Sequence, residues 1–281
     1  MPILEFTILV LSGSLAAGFL GSLTGLGGGV VIVPLLTLGL HVDIRYAIGA
    51  SLVSVIATSS GAAAAYVREG YTNIRIGMFL EIATTLGAIA GAMLAARAPT
   101  GAIAMLFGAA LLFSAWMNLR PRVESLEPAQ SDRIAAWLRL KGSCPSAGPE
   151  GPRQGYGVQR VPAGFALMGL AGVLSGLLGI GSGAMKVLAM DQVMRLPFKV
   201  STTTSNFMIG VTAAASAGVY LSRGYVDPGL TMPVMLGILA GSMLGAKVLV
   251  RARVRVLRWV FSAIIVALAV EMIAGALGGR L

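Results

Sequence analysis

Charged side chains, cysteine and histidine are all scarce in this sequence. Only 11% of its 281 residues are charged and 56% are hydrophobic, whereas an ordinary soluble domain carries about 25% charged residues. The composition therefore excludes an ordinary soluble domain and indicates a membrane protein. Disordered, collagen-like and coiled-coil chains are excluded by the same composition.

The single cysteine and the single histidine limit the chemistry that the chain can support. Cys144 has no second cysteine with which to form an internal disulfide or a paired-cysteine metal site. One histidine, His41, does not make a recognisable hydrolytic triad, and the sequence contains neither an HExxH nor a Walker motif. We therefore predict that the protein is not an enzyme and binds no cofactor or metal.

Long uncharged runs fill most of the chain. About 20 apolar residues are enough for a helix to cross the hydrocarbon core, and these runs lack the alternation of a barrel strand. Two further segments, 76–96 and 259–278, are each interrupted by one acid, Glu81 or Glu271. We predict an all-α polytopic membrane protein, with uncharged runs at 6–40, 46–67, 98–119, 161–185, 200–222 and 228–246.

The sequence contains an internal repeat. Residues 17–71 align with residues 171–225 without a gap, at a displacement of 154, and 14 of these 55 positions are identical. The identities include three glycines of a glycine-rich cluster and a serine that follows it. The repeat predicts two related transmembrane halves, 1–119 and 161–281.

Between the halves lies a polar segment, residues 120–160. It contains five prolines and five glycines, a composition typical of a solvent-exposed linker, and we predict that it is cytoplasmic. Residues 131–141 could form a short interfacial helix with Ile134, Trp137 and Leu138 on one face. A disordered loop is the alternative, and the sequence does not choose between them.

Each half is expected to contain five segments, one of them short. The short segments, 30–40 and 184–194, follow the glycine clusters and are too short for a comfortable crossing, so they are expected to be broken or re-entrant helices. An odd number of segments would invert one half relative to the other. This arrangement places sixteen basic residues on the cytoplasmic side and four outside, as the positive-inside rule favours. Inverted repeats are the architecture of many secondary transporters.

The two glycine-rich clusters are candidate substrate-binding elements. Glycine permits a break in a helix and a close approach of the backbone to a ligand, and the amides at the start of the following helix suit an anion. Tight helix packing through small residues is the alternative, but duplication at equivalent positions favours the binding interpretation. The candidate residues are Gly25, Gly27, Gly28 and Gly29 in the first half and Gly179, Gly181, Ser182 and Gly183 in the second.

Polar residues at the start of the next helix add a second set of candidates. Ser51 aligns with Ser205, which stands in the polar run that also contains Thr204 and Asn206. Hydroxyl and amide groups can bind an oxyanion without a fixed buried charge. The alternative is that the hydroxyls bond back to helix carbonyls.

Three charged residues lie within apolar segments. Lys186 could attract an anion, or it could reach the interface or pair with Asp191. Glu81 and Glu271 could carry protons in a coupled cycle, but an interaction with nearby lipid headgroups is the favoured interpretation. We include Lys186 among the candidate substrate-binding residues.

The glycine phrase resembles a known family. Residues 18–34 read GFLGSLTGLGGGVVIVP, and with their second copy at 171–183 and the polar run at 202–206 they resemble the TauE/SafE sulfite exporter family. The resemblance implies a multi-pass protein of the bacterial cytoplasmic membrane. It also implies secondary-active transport of sulfur-containing anions, such as sulfite or organosulfonates, without ATP. The second copy departs from the first, with Leu188 in place of Pro34 and Lys186 in place of Ile32.

Two other classes of function remain open. A membrane anchor or sensor could use the linker to dock a partner protein, and a channel could pass a small neutral solute. The net charge of +10 is assigned to membrane topology and not to nucleic acid, because no RNA-binding motif or aromatic-basic patch accompanies it. The predicted partners are a small sulfur-containing anion and the lipid bilayer, and a homo-oligomer is left open. A proton or the membrane potential is the expected drive.

Overall fold

A computed structural model describes residues 3–24, 28–68, 72–119, 132–140, 142–145, 153–249 and 254–278. The first half begins with a long helix, α1, and a short one, α2, which continues as a π-helical segment, Leu35–Gly39. Three further helices complete it. The bounds are α1 Ile3–Thr24, α2 Gly29–Pro34, α3 Ile44–Arg68, α4 Ile74–Ala95 and α5 Thr100–Leu119.

The linker contains a short helix, α6 Arg133–Trp137, followed by two antiparallel strands, β1 Gly142–Pro145 and β2 Arg153–Tyr156. This helix covers part of the segment 131–141 for which a short helix was considered, and Trp137 on it is exposed. Its location at the membrane interface stays a prediction. The hairpin is a feature that the sequence analysis did not predict. Glycine and proline dominate this segment, and they mask any alternating pattern.

The second half repeats the order of elements of the first, and its three middle helices have the same lengths. Its short helix α8 also continues as a π-helical segment, Ala189–Val193. The bounds are α7 Val161–Leu178, α8 Gly183–Leu188, α9 Phe198–Ser222, α10 Pro228–Leu249 and α11 Val254–Leu277. Displacement by 154 residues superimposes the bounds of α2, α3 and α4 on those of α8, α9 and α10.

The prediction of an all-α polytopic membrane protein is confirmed. Within the described residues, four helices are long and apolar enough to cross a membrane, judged by length and composition. Shorter apolar helices accompany them, including Leu4–Leu20 and Ser262–Leu277. The four are Ile74–Ala95, Thr100–Met117, Val161–Leu178 and Pro228–Gly245.

The main helix contacts are formed between the two halves. The first helix of each half packs on the fourth helix of the other, α1 on α10 and α7 on α4, while α3 packs on α9 and α5 on α11. Small residues allow this close approach. A Cβ atom added at Gly87 of α4 would meet the carbonyl of Gly169, and one at the equivalent Gly241 of α10 would meet the carbonyl of Leu15.

Contacts between loops identify the two ends of the bundle. At one end, Arg45 donates from Nη2 to the carbonyl of Ala98, 2.9 Å away, and stacks over the ring of Tyr225. At the other end, Asn73 donates from Nδ2 to the hydroxyl of Tyr156, 2.8 Å away, in the linker. Helix α4 therefore begins at the linker end, whereas its equivalent α10 follows Tyr225 at the opposite end. The inverted arrangement of the two complete halves stays a prediction.

Candidate functional site

The glycine clusters of the two halves meet where α3 crosses α9. Val55 of α3 and Ile209 of α9 occupy equivalent positions in the repeat and lie at this crossing. A Cβ atom at Gly181 would lie 2.9 Å from Cγ2 of Ile209 and 3.5 Å from Cγ1 of Val55. One at Gly29 would lie 3.1 Å from Cγ2 of Val55. The start of each short helix therefore packs closely against the crossing of α3 and α9.

Ser51 joins the two halves directly. Its buried Oγ donates a hydrogen bond to the carbonyl of Gly179, 2.8 Å away, in the second glycine cluster. The same Oγ lies close to Gly29 of its own half, because a Cβ atom there would be 2.6 Å from it. The predicted association of Ser51 with both clusters thus exists in the structure.

Ser205 occupies the equivalent place in the second half. It is buried, and its Oγ donates to the carbonyl of Gly183, 3.3 Å away, at the start of α8. Both serines therefore donate to backbone carbonyls of the glycine clusters. An anion oxygen is the same kind of hydrogen-bond acceptor as a carbonyl oxygen.

The second cluster adopts a left-handed backbone conformation that glycine reaches without strain. Gly179 and Gly181 have φ angles of +69° and +70°, a region that costs an L-residue about 1–2 kcal/mol. Ser182 also adopts a positive φ, +45°. Its Oγ is buried and has no hydrogen-bond partner within the described part of the chain. Unpaired buried hydroxyls are uncommon in proteins, so this serine is available to a ligand.

Three other candidates have different surroundings, and two cannot be placed. Gly28 faces α10, since a Cβ atom there would lie 2.8 Å from Cγ2 of Ile238. Thr204 is buried and accepts a hydrogen bond from the backbone amide of Asn73, 3.1 Å away. Asn206 is half-buried. Gly25 and Gly27 lie outside the described residues.

Lys186 does not reach the membrane interface. Its side chain is 0% exposed, and Nζ donates to Oγ1 of Thr212 in α9. Thr212 in turn contacts Glu81 of α4, with 2.7 Å between Oγ1 and Oε1. The interface interpretation is therefore wrong for Lys186, and the headgroup interpretation is wrong for Glu81, because both side chains are enclosed by neighbouring helices.

Sequence reasoning missed three residues at this centre: Val55, Ile209 and Thr212. Val55 and Ile209 are ordinary apolar residues, and no local signal separates them from the rest of the core. Thr212 could have been found, because it aligns with Thr58 as one of the identities of the repeat.

A cavity of about 300 Å³ adjoins the second glycine cluster. Its walls are formed by Val30 of α2, Leu106 and Phe113 of α5, and Ser182 and Met185. Most of this lining is apolar. The cavity could receive the carbon skeleton of an organic ligand beside a serine hydroxyl.

Comparison with known proteins agrees with this architecture. The family model of the sulfite exporter TauE/SafE matches residues 10–272. The probable membrane transporter protein YunE of Bacillus subtilis is 29% identical over 87% of this chain and 89% of its own length. YdhB of the same organism, also named a probable membrane transporter protein, is 29% identical over 82% of this chain and 83% of its own length.

A more distant relative covers nearly the full length. The probable membrane transporter protein of Xylella fastidiosa (strain 9a5c) is 26% identical over 97% of both chains. No solved structure matches the chain significantly. The family match extends over both halves and the linker, and the protein is therefore a multi-pass membrane transporter that belongs to the sulfite exporter TauE/SafE family.

Proposed function

We propose that this protein is a secondary-active transporter of sulfur-containing anions, such as sulfite or organosulfonates, in the bacterial cytoplasmic membrane. The observation that carries the proposal is the meeting of both glycine clusters with Ser51 and Ser205 at the crossing of α3 and α9. Substrate sites of inverted-repeat transporters lie at such an interface, where broken helices of both halves come together.

The hydrogen bonds of the two serines explain how an anion could bind and leave. Ser51 and Ser205 donate to the carbonyls of Gly179 and Gly183. A sulfite or sulfonate oxygen can replace each carbonyl as acceptor. Each serine keeps one acceptor in this exchange and gains a stronger hydrogen bond to a charged group, which offsets the loss of a donor at each glycine carbonyl. The unpaired Oγ of Ser182 also gains a partner.

The apolar cavity supports an organic member of this anion class. Ser182 lines the cavity together with residues of α5, so a sulfonate group at the serines could direct its carbon skeleton towards them. Rocking of one half against the other would then expose the site to each side in turn. The Ser51 hydrogen bond to Gly179, which joins the halves, would break and reform in that motion.

Uptake into proteoliposomes tests the proposal. We would compare sulfite, thiosulfate, sulfate, sulfoacetate and taurine, and we expect saturable flux of at least one sulfur anion. Ser205→Ala and Gly181→Leu should abolish this flux while the protein remains in the membrane. Ser60→Ala is the matched control, because Ser60 is exposed on α3 and its Oγ donates only within that helix, to the carbonyl of Ile56.

Two results would contradict this assignment. Normal flux in both site variants would remove the proposed site. Absence of flux for every anion, from wild-type protein shown to be folded, would favour the anchor or sensor role. Replacing the linker 120–160 by a glycine-serine segment separates these roles further, since a carrier should retain transport and an anchor should lose its partner.

A further inference from the structure

Lys186 and Glu81 form a buried pair of opposite charges that the anion site does not explain. Lys186 is 0% exposed and Glu81 is 6% exposed. They belong to different halves, Lys186 to α8 and Glu81 to α4. Burial of a charge within a membrane protein is costly, and such residues are usually functional.

A threonine connects the two charges. Nζ of Lys186 donates to Oγ1 of Thr212, and the single hydroxyl proton of Thr212 can then be donated to Oε1 of Glu81, 2.7 Å away. Thr85 also donates to Oε1, at 3.2 Å. The other carboxylate oxygen, Oε2, is buried without a hydrogen-bond partner among the described residues. This oxygen is therefore free to bind a proton.

The pair is present in one half only. Under the displacement of 154, Lys186 corresponds to Ile32 and Glu81 to Met235, whereas Thr212 corresponds to Thr58. The equivalent place in the other half thus keeps the threonine and lacks both charges. A structural requirement of the fold would apply to both halves, so the charges serve a purpose that the fold alone does not impose.

The pair lies next to the proposed anion site. Lys186 follows Gly183 by three residues on α8, which is less than one helical turn. Thr212 follows Ser205 by seven residues on α9, two turns along the same face. A change in the charge of Glu81 would therefore be felt by an anion held at Ser205 and Gly183.

We propose that Glu81 is the proton-binding site that couples proton movement to anion transport; this inference rests on the proposed function. A proton from one side binds Oε2 and converts the carboxylate to a neutral acid. The Lys186 ammonium then lacks its counter-charge and attracts the substrate anion. On the other side the anion leaves, the proton dissociates from Oε2 to water, and the Lys186–Glu81 pair is restored. Proton and anion move in the same direction.

Other charged groups on the packed elements are few. Helix α7, which packs on α4, carries none along Val161–Leu178. Arg75 lies six residues before Glu81 and donates to the carbonyl of Arg139 at the linker end. Lys199 is at the exposed start of α9, and Asp191 is five residues beyond Lys186. Within the described parts of these helices, Lys186 is the cation that is connected to Glu81, through the hydroxyl of Thr212.

The test measures sulfite and sulfoacetate flux in proteoliposomes at a clamped membrane potential, and the steady-state accumulation of sulfoacetate. External pH is held constant and internal pH is varied. Accumulation is followed with sulfoacetate because it stays fully ionised near neutral pH, whereas sulfite exchanges a proton there. With one proton per anion, steady-state accumulation by the wild type should change about tenfold for each unit of pH difference. Glu81→Gln should make accumulation independent of internal pH, and Glu81→Asp should restore part of the dependence.

Glu271→Gln is the matched control, because Glu271 is an exposed acid on α11, and it should keep the full dependence. Glu81→Gln could also lose all flux, so a second readout follows the proton directly. Infrared difference spectra at constant pH should show a protonated carboxyl when sulfite binds. This signal should persist in Glu271→Gln and disappear in Glu81→Gln.

The outcomes separate the two proposals. Accumulation by Glu81→Gln that still follows internal pH, or an infrared carboxyl signal that survives in that variant, would overturn the coupling role and leave anion transport standing. Wild-type flux that is saturable but indifferent to internal pH would do the same. No flux of either anion by folded wild-type protein would overturn the proposed function and the coupling role together.

Discussion

Ser51 makes a hydrogen bond that joins the two halves of the bundle. Its Oγ donates to the carbonyl of Gly179, and the loss of one such bond between membrane helices costs about 0.6 kcal/mol. Ser51→Ala should therefore lower thermal stability only slightly. If Ser51 also contacts the anion, a hydrogen bond to a charged group worth about 1.5–3 kcal/mol is lost.

That loss corresponds to an increase in KM for the anion of about tenfold or more. Uptake assays over a range of sulfite concentrations, with a thermal melt of the same preparation, would measure both effects. Ser60→Ala should change neither quantity. A KM for Ser51→Ala equal to that of the wild type would show that the hydroxyl only fastens the two halves together.

Gly179 combines a positive φ with a crowded position. A Cβ atom there would lie 2.7 Å from Cγ2 of Ile48, at a φ of +69°. Gly224 has a similar φ, +76°, but has nothing within 4 Å of its added Cβ atom. Both substitutions to alanine carry the backbone cost of about 1–2 kcal/mol, and only Gly179→Ala adds the collision with Ile48.

Gly179→Ala should therefore unfold at a lower temperature than Gly224→Ala in a detergent melt. It should also reduce uptake more strongly, because relieving the collision with Ile48 moves residue 179, whose carbonyl Ser51 contacts. Equal melting temperatures for the two variants would mean that the loop relaxes without cost, and that its conformation is not fixed by glycine.

At the residue scale, the sequence indicated part of the candidate site, whose role in binding stays a prediction. Duplication identified Ser51, Ser205 and the glycines of the second cluster, because a repeated polar residue within an apolar run is rare. The Lys186 to Glu81 pairing could not be predicted, since the two residues are 105 positions apart and belong to different halves. They come together because α4 and α8 both pack on α9.

At the element scale, two seams of small residues hold the halves together. Gly87 packs on Gly169 where α4 meets α7, and Gly241 packs on Leu15 at the equivalent place where α10 meets α1. Gly87→Leu or Gly241→Leu should force the helices apart and destabilise the bundle by about 1–3 kcal/mol or more, as overpacking generally does. Thermal stability in detergent is the measurement.

Gly218 provides the control for these seams, because a Cβ atom added there meets nothing within 4 Å. Gly218→Leu should melt close to the wild type. If the repeat is symmetric in energy as well as in contacts, Gly87→Leu and Gly241→Leu should lower the melting temperature by similar amounts. Unchanged stability in both would show that the seams do not hold the halves together.

The order of the helices could be predicted, since an uncharged run of sufficient length indicates a membrane helix and the gapless repeat fixes the displacement of 154. Other elements could not be predicted. The π-helical continuations at Leu35–Gly39 and Ala189–Val193 leave no mark in an apolar sequence. Helix partners were also hidden, because the pairing of α1 with α10 depends on which small faces meet in three dimensions.

At the scale of the whole molecule, the arrangement predicts which end of the bundle faces the cytoplasm. Arg45, Ala98 and Tyr225 lie together at one end. Arg75, Arg139 and Tyr156 lie at the other, with the linker. The linker end carries the larger number of basic residues, and the positive-inside rule therefore places it in the cytoplasm.

Labelling of introduced cysteines in intact cells tests this orientation. Cys144 is first replaced by serine, and Arg97→Cys and Arg195→Cys are then made separately, since both arginines are exposed at loops of opposite ends. A membrane-impermeant maleimide should label Arg97→Cys from outside and should reach Arg195→Cys only after the membrane is opened. The reverse pattern would invert the orientation, and labelling of both from outside would contradict an odd number of segments in each half.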